Sequence, residues 1–157
     1  MPGPYLFDTD AISELLRSRP LPKYLAWVGQ VGREEQFTST VTVGELYKGA
    51  YRSTAKNRHL KNIEERVLPA VTSITYDLGA ARVYGKVRAD LERRGNVIPD
   101  SDLQIAAIAL HNDLELVTGN TRHFERVPGL RINYILADAR REREEENRRA
   151  KNQESEP

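Results

Sequence analysis

From Asp102 to His111 the chain reads DLQIAAIALH, a helix-length run that is apolar on nearly every side. Leu103, Ile105, Ala106, Ala107, Ile108, Ala109 and Leu110 leave it no face to offer water. Such a helix belongs inside a fold, not on its surface. The rest of the sequence shows what can surround it. Short apolar or β-branched runs at 5–7, 36–41, 71–75, 115–118 and 131–135 read as strands. Helical spacing fills the intervals. Ile12, Leu15 and Leu16 recur after a cap at Thr9 or Asp10, and Tyr24, Leu25, Trp27 and Val28 form a second stripe. Thr42 and Glu45 have capping-box spacing ahead of the stripe Val43, Leu46, Tyr47 and Ala50. A more polar helix is expected over 55–68. Asp77 can cap a helix with the stripe Ala80, Tyr84, Val87 and Leu91, stopped at Gly95. Strands alternating with helices predict an α/β layer fold with a mainly parallel sheet.

The 157 residues suit one domain. From Ala137 the composition changes to six basic and seven acidic residues with no large apolar one. The expectation is a folded domain over 1–136 and a charged tail over 137–157, either exposed helix or disordered. Across the chain 24 basic residues face 23 acidic ones, which excludes a polybasic tail as the main way of holding nucleic acid. No cysteine is present, so disulfides, thiolate nucleophiles and Cys-ligated zinc are excluded. No apolar run approaches the ~20 residues of a membrane span, and the first residues lack a signal-peptide pattern. A soluble, cytoplasmic protein is expected.

The topology turns scattered acids into a candidate site. Asp8 ends the first strand, Glu45 lies in the first turn after the second, Asp102 opens the buried helix, and Asn120 follows the fourth strand. In a parallel α/β sheet these places share the carboxyl edge, where ligand crevices form. Three carboxylates there repel one another, so either protons remain or a divalent cation binds. Oxygen donors without cysteine favour Mg²⁺ or Mn²⁺, which can activate water and hold a phosphate oxygen. Each residue also has an ordinary structural role open to it. Asp8 can cap the helix at Ala11, Glu45 can complete the capping box, Asp102 can favour a helix dipole, and Asn120 can sit in a turn. His59, His111 and His123 show no ligand spacing and read as surface or helix-end residues. Lys48 and Arg52 share the face of Glu45, Arg122 follows Asn120, and Arg17, Arg19 and Lys23 follow the first helix; these are candidate phosphate contacts.

Four stretches in this order carry a resemblance: LFDTDAISEL from Leu6, VTVGELYKGA from Val41, IPDSDLQIAA from Ile98, and LVTGNTRHF from Leu116 with VPGL behind it. Together, over roughly residues 5–135, they resemble PIN-domain proteins, in particular VapC-type toxins of toxin–antitoxin pairs. The resemblance implies a three-layer domain with a central, mainly parallel five-stranded sheet flanked by helices. It implies a Mg²⁺- or Mn²⁺-dependent endoribonuclease that inhibits translation by cutting RNA of the tRNA or rRNA class. Asp8, Glu45, Asp102 and Asn120 take the catalytic positions, with Asp8 and Asp102 as metal ligands and Thr9, Asp100 and Thr118 in support. It also implies a homodimer inhibited by a small antitoxin. Two departures stand out: Asp10 occupies a position where relatives usually carry Asn, and the tail beyond Ile135 is longer than usual. Two other readings compete. The LFDTD stretch also fits a haloacid-dehalogenase-type phosphatase with Asp8 as nucleophile. The same fold with a degenerate site would act only as an interaction module.

Overall fold

The structure is a computed structural model that describes residues 3–154. Five parallel strands form one sheet: β1 (Tyr5–Phe7), β2 (Gln36–Ser39), β3 (Thr72–Ile74), β4 (Glu115–Val117) and β5 (Ile132–Asn133). Their spatial order is β3-β2-β1-β4-β5. The chain therefore winds outward from β1 in one direction and then returns to start again beside it. The reversal falls between β1 and β4, which pair with Leu6 opposite Leu116 and Phe7 opposite Val117.

Strand periodicity builds both cores. Tyr5 and Phe7 point to one face with Val117, while Leu6 and Leu116 point to the other. Both faces are covered, as parallel sheets require. On the first face lie α1 (Thr9–Leu15), α2 (Pro22–Val28), α3 (Thr40–Arg52) and α4 (Lys56–Asn62), which runs into a π-turn at Ile63–Val67. On the second lie α5 (Leu78–Arg94), α6 (Asp100–His111) and the short α7 (Thr121–Phe124). The apolar α6 is buried as its composition demands, with Leu103, Ala106, Ile108 and Ala109 fully enclosed. Helix α5 ends at Gly95 in the left-handed conformation, φ 69°, where glycine carries no Cβ penalty.

Three local expectations are corrected. The second strand stops at Ser39, because Ser39 Oγ accepts the Thr42 amide at 2.9 Å and caps α3 three residues before Thr42. Thr42 and Glu45 are thus not a capping box. Asp8, rather than Thr9 or Asp10, caps α1: its Oδ1 accepts the Ala11 amide at 2.8 Å. The fifth strand shortens to two residues because Asn133 Oδ1 accepts the Ile135 amide at 3.0 Å and turns the chain into α8 (Ile135–Glu154). Residue 137, where the composition shifts, lies inside this helix. Its first turns pack Leu136 and Ala139 against the first core. Among the described residues no helix is long and apolar enough to cross a membrane.

Ser39 is fully buried, so losing its hydroxyl strands the Thr42 amide. Ser39→Ala is expected to destabilise the protein by about 1–2 kcal/mol, read as a lower denaturant midpoint at unchanged slope.

Candidate active site

Ligand crevices of open α/β sheets form where the strand order reverses. Here that place is the gap between the carboxyl ends of β1 and β4. The residue after β1 is Asp8, and the residues after β4 are Thr118, Gly119 and Asn120. Asp8 is only 4% exposed. Burial lifts its carboxyl pKa from 3.8 to about 7; the charges of Asp10 and Asp102 add to the rise, and hydrogen bonds from Thr118 and the Ala11 amide work against it. The side chain that caps α1 is therefore also buried at the crevice. An ionised carboxylate held out of water beside two others is a poor arrangement for stability alone.

Hydrogen bonds join the predicted residues into two groups that meet at the adjacent residues Asp8 and Thr9. The Thr9 hydroxyl donates to Glu45 Oε1 at 2.8 Å, tying α3 to the start of α1. The Asn120 amide donates to Thr118 Oγ1 at 3.0 Å, and the buried Thr118 side chain bonds Asp8. His123 Nδ1 lies 2.8 Å from Asp102 Oδ2 and 2.9 Å from the Asn120 side-chain amide. In the tautomer with its proton on Nδ1, this nitrogen donates to Asp102 Oδ2 and orients it; Asn120 Nδ2 faces the same ring edge.

Asp8, Glu45, Asp102 and Asn120 are thus brought to one edge, with Thr9 and Thr118 linking them. Asp100 turns away: its Oδ1 accepts from the Tyr84 hydroxyl and from Arg88 Nη1, both at 2.6 Å, on α5. Lys48, Arg52 and Arg122 are exposed. Beside Thr9 and Glu45 opens a cleft of about 780 Å³ between α1, α3 and α4, and the cations lining it are Arg17 and Arg58. His123 and Arg58 were not singled out by the sequence for these places. His123 stands three residues beyond Asn120 on the one-turn helix α7, a spacing that only the contact with α6 makes meaningful.

Among the described residues no three His, Asp or Glu side chains form a closed metal cage. The donor set still suits Mg²⁺ or Mn²⁺. Such ions retain several waters and take one or two carboxylates, and Asp8 and Asp102 are the carboxylates at the β1–β4 reversal that suit them.

Residues 5–130 match the family model for the PIN domain. The chain belongs to the PIN domain family. It is 35% identical over 127 residues to the ribonuclease VapC2 of Haemophilus influenzae, covering 81% of this chain and 94% of that one. It is 31% identical over 128 residues to the tRNA(fMet)-specific endonuclease VapC of Salmonella typhimurium, covering 82% and 95%. Among solved structures, the DNA-bound VapBC of Salmonella typhimurium aligns with a TM-score of 0.75 at 30% identity, over 85% of this chain and 98% of that one. The three-layer α/β architecture expected of a PIN domain is the one observed, with every strand parallel.

Proposed function

We propose that the protein is a Mg²⁺- or Mn²⁺-dependent endoribonuclease, the toxin of a toxin–antitoxin pair that inhibits translation. The observation that carries this reading is the gathering of the buried Asp8 and Thr118 with Asn120, His123 and Asp102 at the β1–β4 reversal by side-chain contacts. Asp8 and Asp102 would hold a divalent ion there, which would offset their repulsion and supply Lewis-acid polarisation of a phosphate and a more acidic water. His123 fixes the orientation of Asp102. Thr9 fixes the half-buried Glu45 at the mouth of the cleft, where its carboxylate takes a proton from the attacking water. Asn120 places a neutral amide beside Asp102 and limits further negative charge at the phosphate. Arg17 and Arg58 in the cleft, with the exposed Lys48, Arg52 and Arg122, bind the RNA backbone. The kinship with VapC ribonucleases supports an RNA substrate of the tRNA or rRNA class, and the VapBC likeness supports an antitoxin partner. The same kinship supports a cytoplasmic homodimer.

The phosphatase reading lacks support in the geometry. Its second acid, Asp10, has both oxygens engaged by Arg140 and one also by the Gly119 amide, so it is not poised to move a proton. A non-catalytic module would not need Asp8 buried next to other acids.

Purified protein is expected to cut RNA with Mg²⁺ or Mn²⁺ and to stop with chelator. Asp102→Asn is expected to lose activity by about 10³-fold, as for removal of a main electrostatic element, while melting within a few degrees of the parent. Cleavage by Asp102→Asn at the parental rate would rule the site out.

A further inference from the structure

Helix α8 lies beyond the residues that match the PIN family, yet it reaches the candidate site. Arg140 Nη1 donates to Asp10 Oδ2 at 2.7 Å and Nη2 donates to Oδ1 at 2.9 Å. This is a two-bond fork, the most directional ion-pair geometry available to a side chain. Asp10 Oδ2 also accepts the Gly119 backbone amide at 3.1 Å. One carboxylate therefore joins the start of α1, the loop after β4 and α8, across 130 residues of sequence.

Gly119 shows how closely the three pieces meet. A Cβ built there would overlap both Arg140 Nη1 and Asp10 Oδ2. Only glycine lets the fork rest against the loop backbone. The neighbours of Gly119 are Thr118, which bonds Asp8, and Asn120, which meets His123. Asp10 itself stands two residues after Asp8. Holding Gly119 thus fixes the loop that carries two members of the site. Helix α8 is a firm base for this, since Leu136 and Ala139 are buried; Lys23 Nζ donates to Glu142 Oε1 at 2.7 Å on the exposed side, without touching the fork.

We propose that Arg140 is a positioning residue for cleavage: through Asp10 it clamps the Thr118–Asn120 loop in its working place. The proposal rests on the nuclease reading above. The pair is about one-third exposed on each side, so its worth lies in geometry more than in stability. It also gives the Asp10 departure and the long C-terminal segment a common purpose, because an Asn at residue 10 would offer the guanidinium only one acceptor.

The test compares steady-state RNA cleavage with Mg²⁺ and hydrogen exchange of the Gly119 amide in ion-free protein. In Arg140→Gln, kcat should fall by about ten- to a hundredfold, as misplacement by a fraction of an ångström does, with KM unchanged. Arg140→Lys should recover part of the loss, since one ammonium cannot reproduce the fork. Asp10→Asn should match Arg140→Gln, and the double variant should be no worse than either. Gly119 exchange should quicken in both single variants. Glu142→Gln breaks only the outer pair and should leave kcat intact. A raised KM at constant kcat, additive losses, or an equal loss in Glu142→Gln would overturn the proposal. So would a parental kcat in Arg140→Gln while Asp8→Asn is inactive, and in that case the nuclease reading stands. Full cleavage by Asp8→Asn would instead remove the nuclease reading and the proposal together.

Discussion

Asp8→Asn is expected to abolish cleavage, by on the order of 10³-fold or more, and at the same time to make the ion-free protein more stable at pH 8. The two effects share one cause. The Asp8 carboxyl is buried, and at pH 8 it is ionised against a pKa raised from 3.8 to about 7. Those roughly three units correspond to on the order of 4 kcal/mol of destabilisation in the absence of an ion. Asparagine keeps an oxygen for the Ala11 amide, and Asn caps helices as well as Asp does. Burying an amide costs part of the gain, so a rise of about 5 °C in melting temperature is expected for a chain of this size. A variant that loses both activity and stability would show that Asp8 acts as a helix cap alone.

The second large effect is a pH dependence that a divalent ion should cancel. In the folded, ion-free protein Asp8 keeps its proton up to about pH 7, whereas the unfolded chain releases it near 3.8. The folded state binds more protons between those values. Stability contributed by Asp8 is therefore complete below about pH 4, falls as pH rises to about 7, and is flat above. The slope within that window approaches about 1.4 kcal/mol per pH unit. Mg²⁺ or Mn²⁺ binds the ionised folded form, so its stabilisation should grow over the same window and reach about 2.7 kcal/mol at a hundredfold excess over Kd. Melting curves from pH 4 to 8, with chelator and with Mg²⁺, measure both terms. Asp8→Asn should show neither the slope nor the Mg²⁺ gain. Parallel profiles for the two proteins would refute the assignment of the buried charge.

The strand-and-helix order was readable because each element satisfies a local rule. Helix α6 is apolar all round and ends up enclosed, and β1 and β4 are short runs buried on both faces. Boundaries failed where a polar side chain competed with the pattern. Ser39 and Asn133 each capture a backbone amide and begin a helix where periodicity still read as strand. The site was legible as far as topology carries acids to one sheet edge. What escaped were partners defined by distance alone. His123 looks like any helix-end histidine until α6 brings Asp102 to it. Arg140 sits in a run of charges whose composition argued for solvent, and its use depends on three backbone segments meeting at a glycine. Periodicity registers faces, and neither residue lies on an apolar one.

The pairing of β1 with β4 also sets when the enzyme can first work. Asp8 and Glu45 are made first, and Asp102, Asn120 and His123 follow Glu45 by more than fifty residues. Until β4 slots in beside β1, the candidate site lacks the pairing that brings the later three to Asp8. On the proposed function, a nascent RNA-cutting domain is thus harmless to the machinery translating it until β4 has been synthesised.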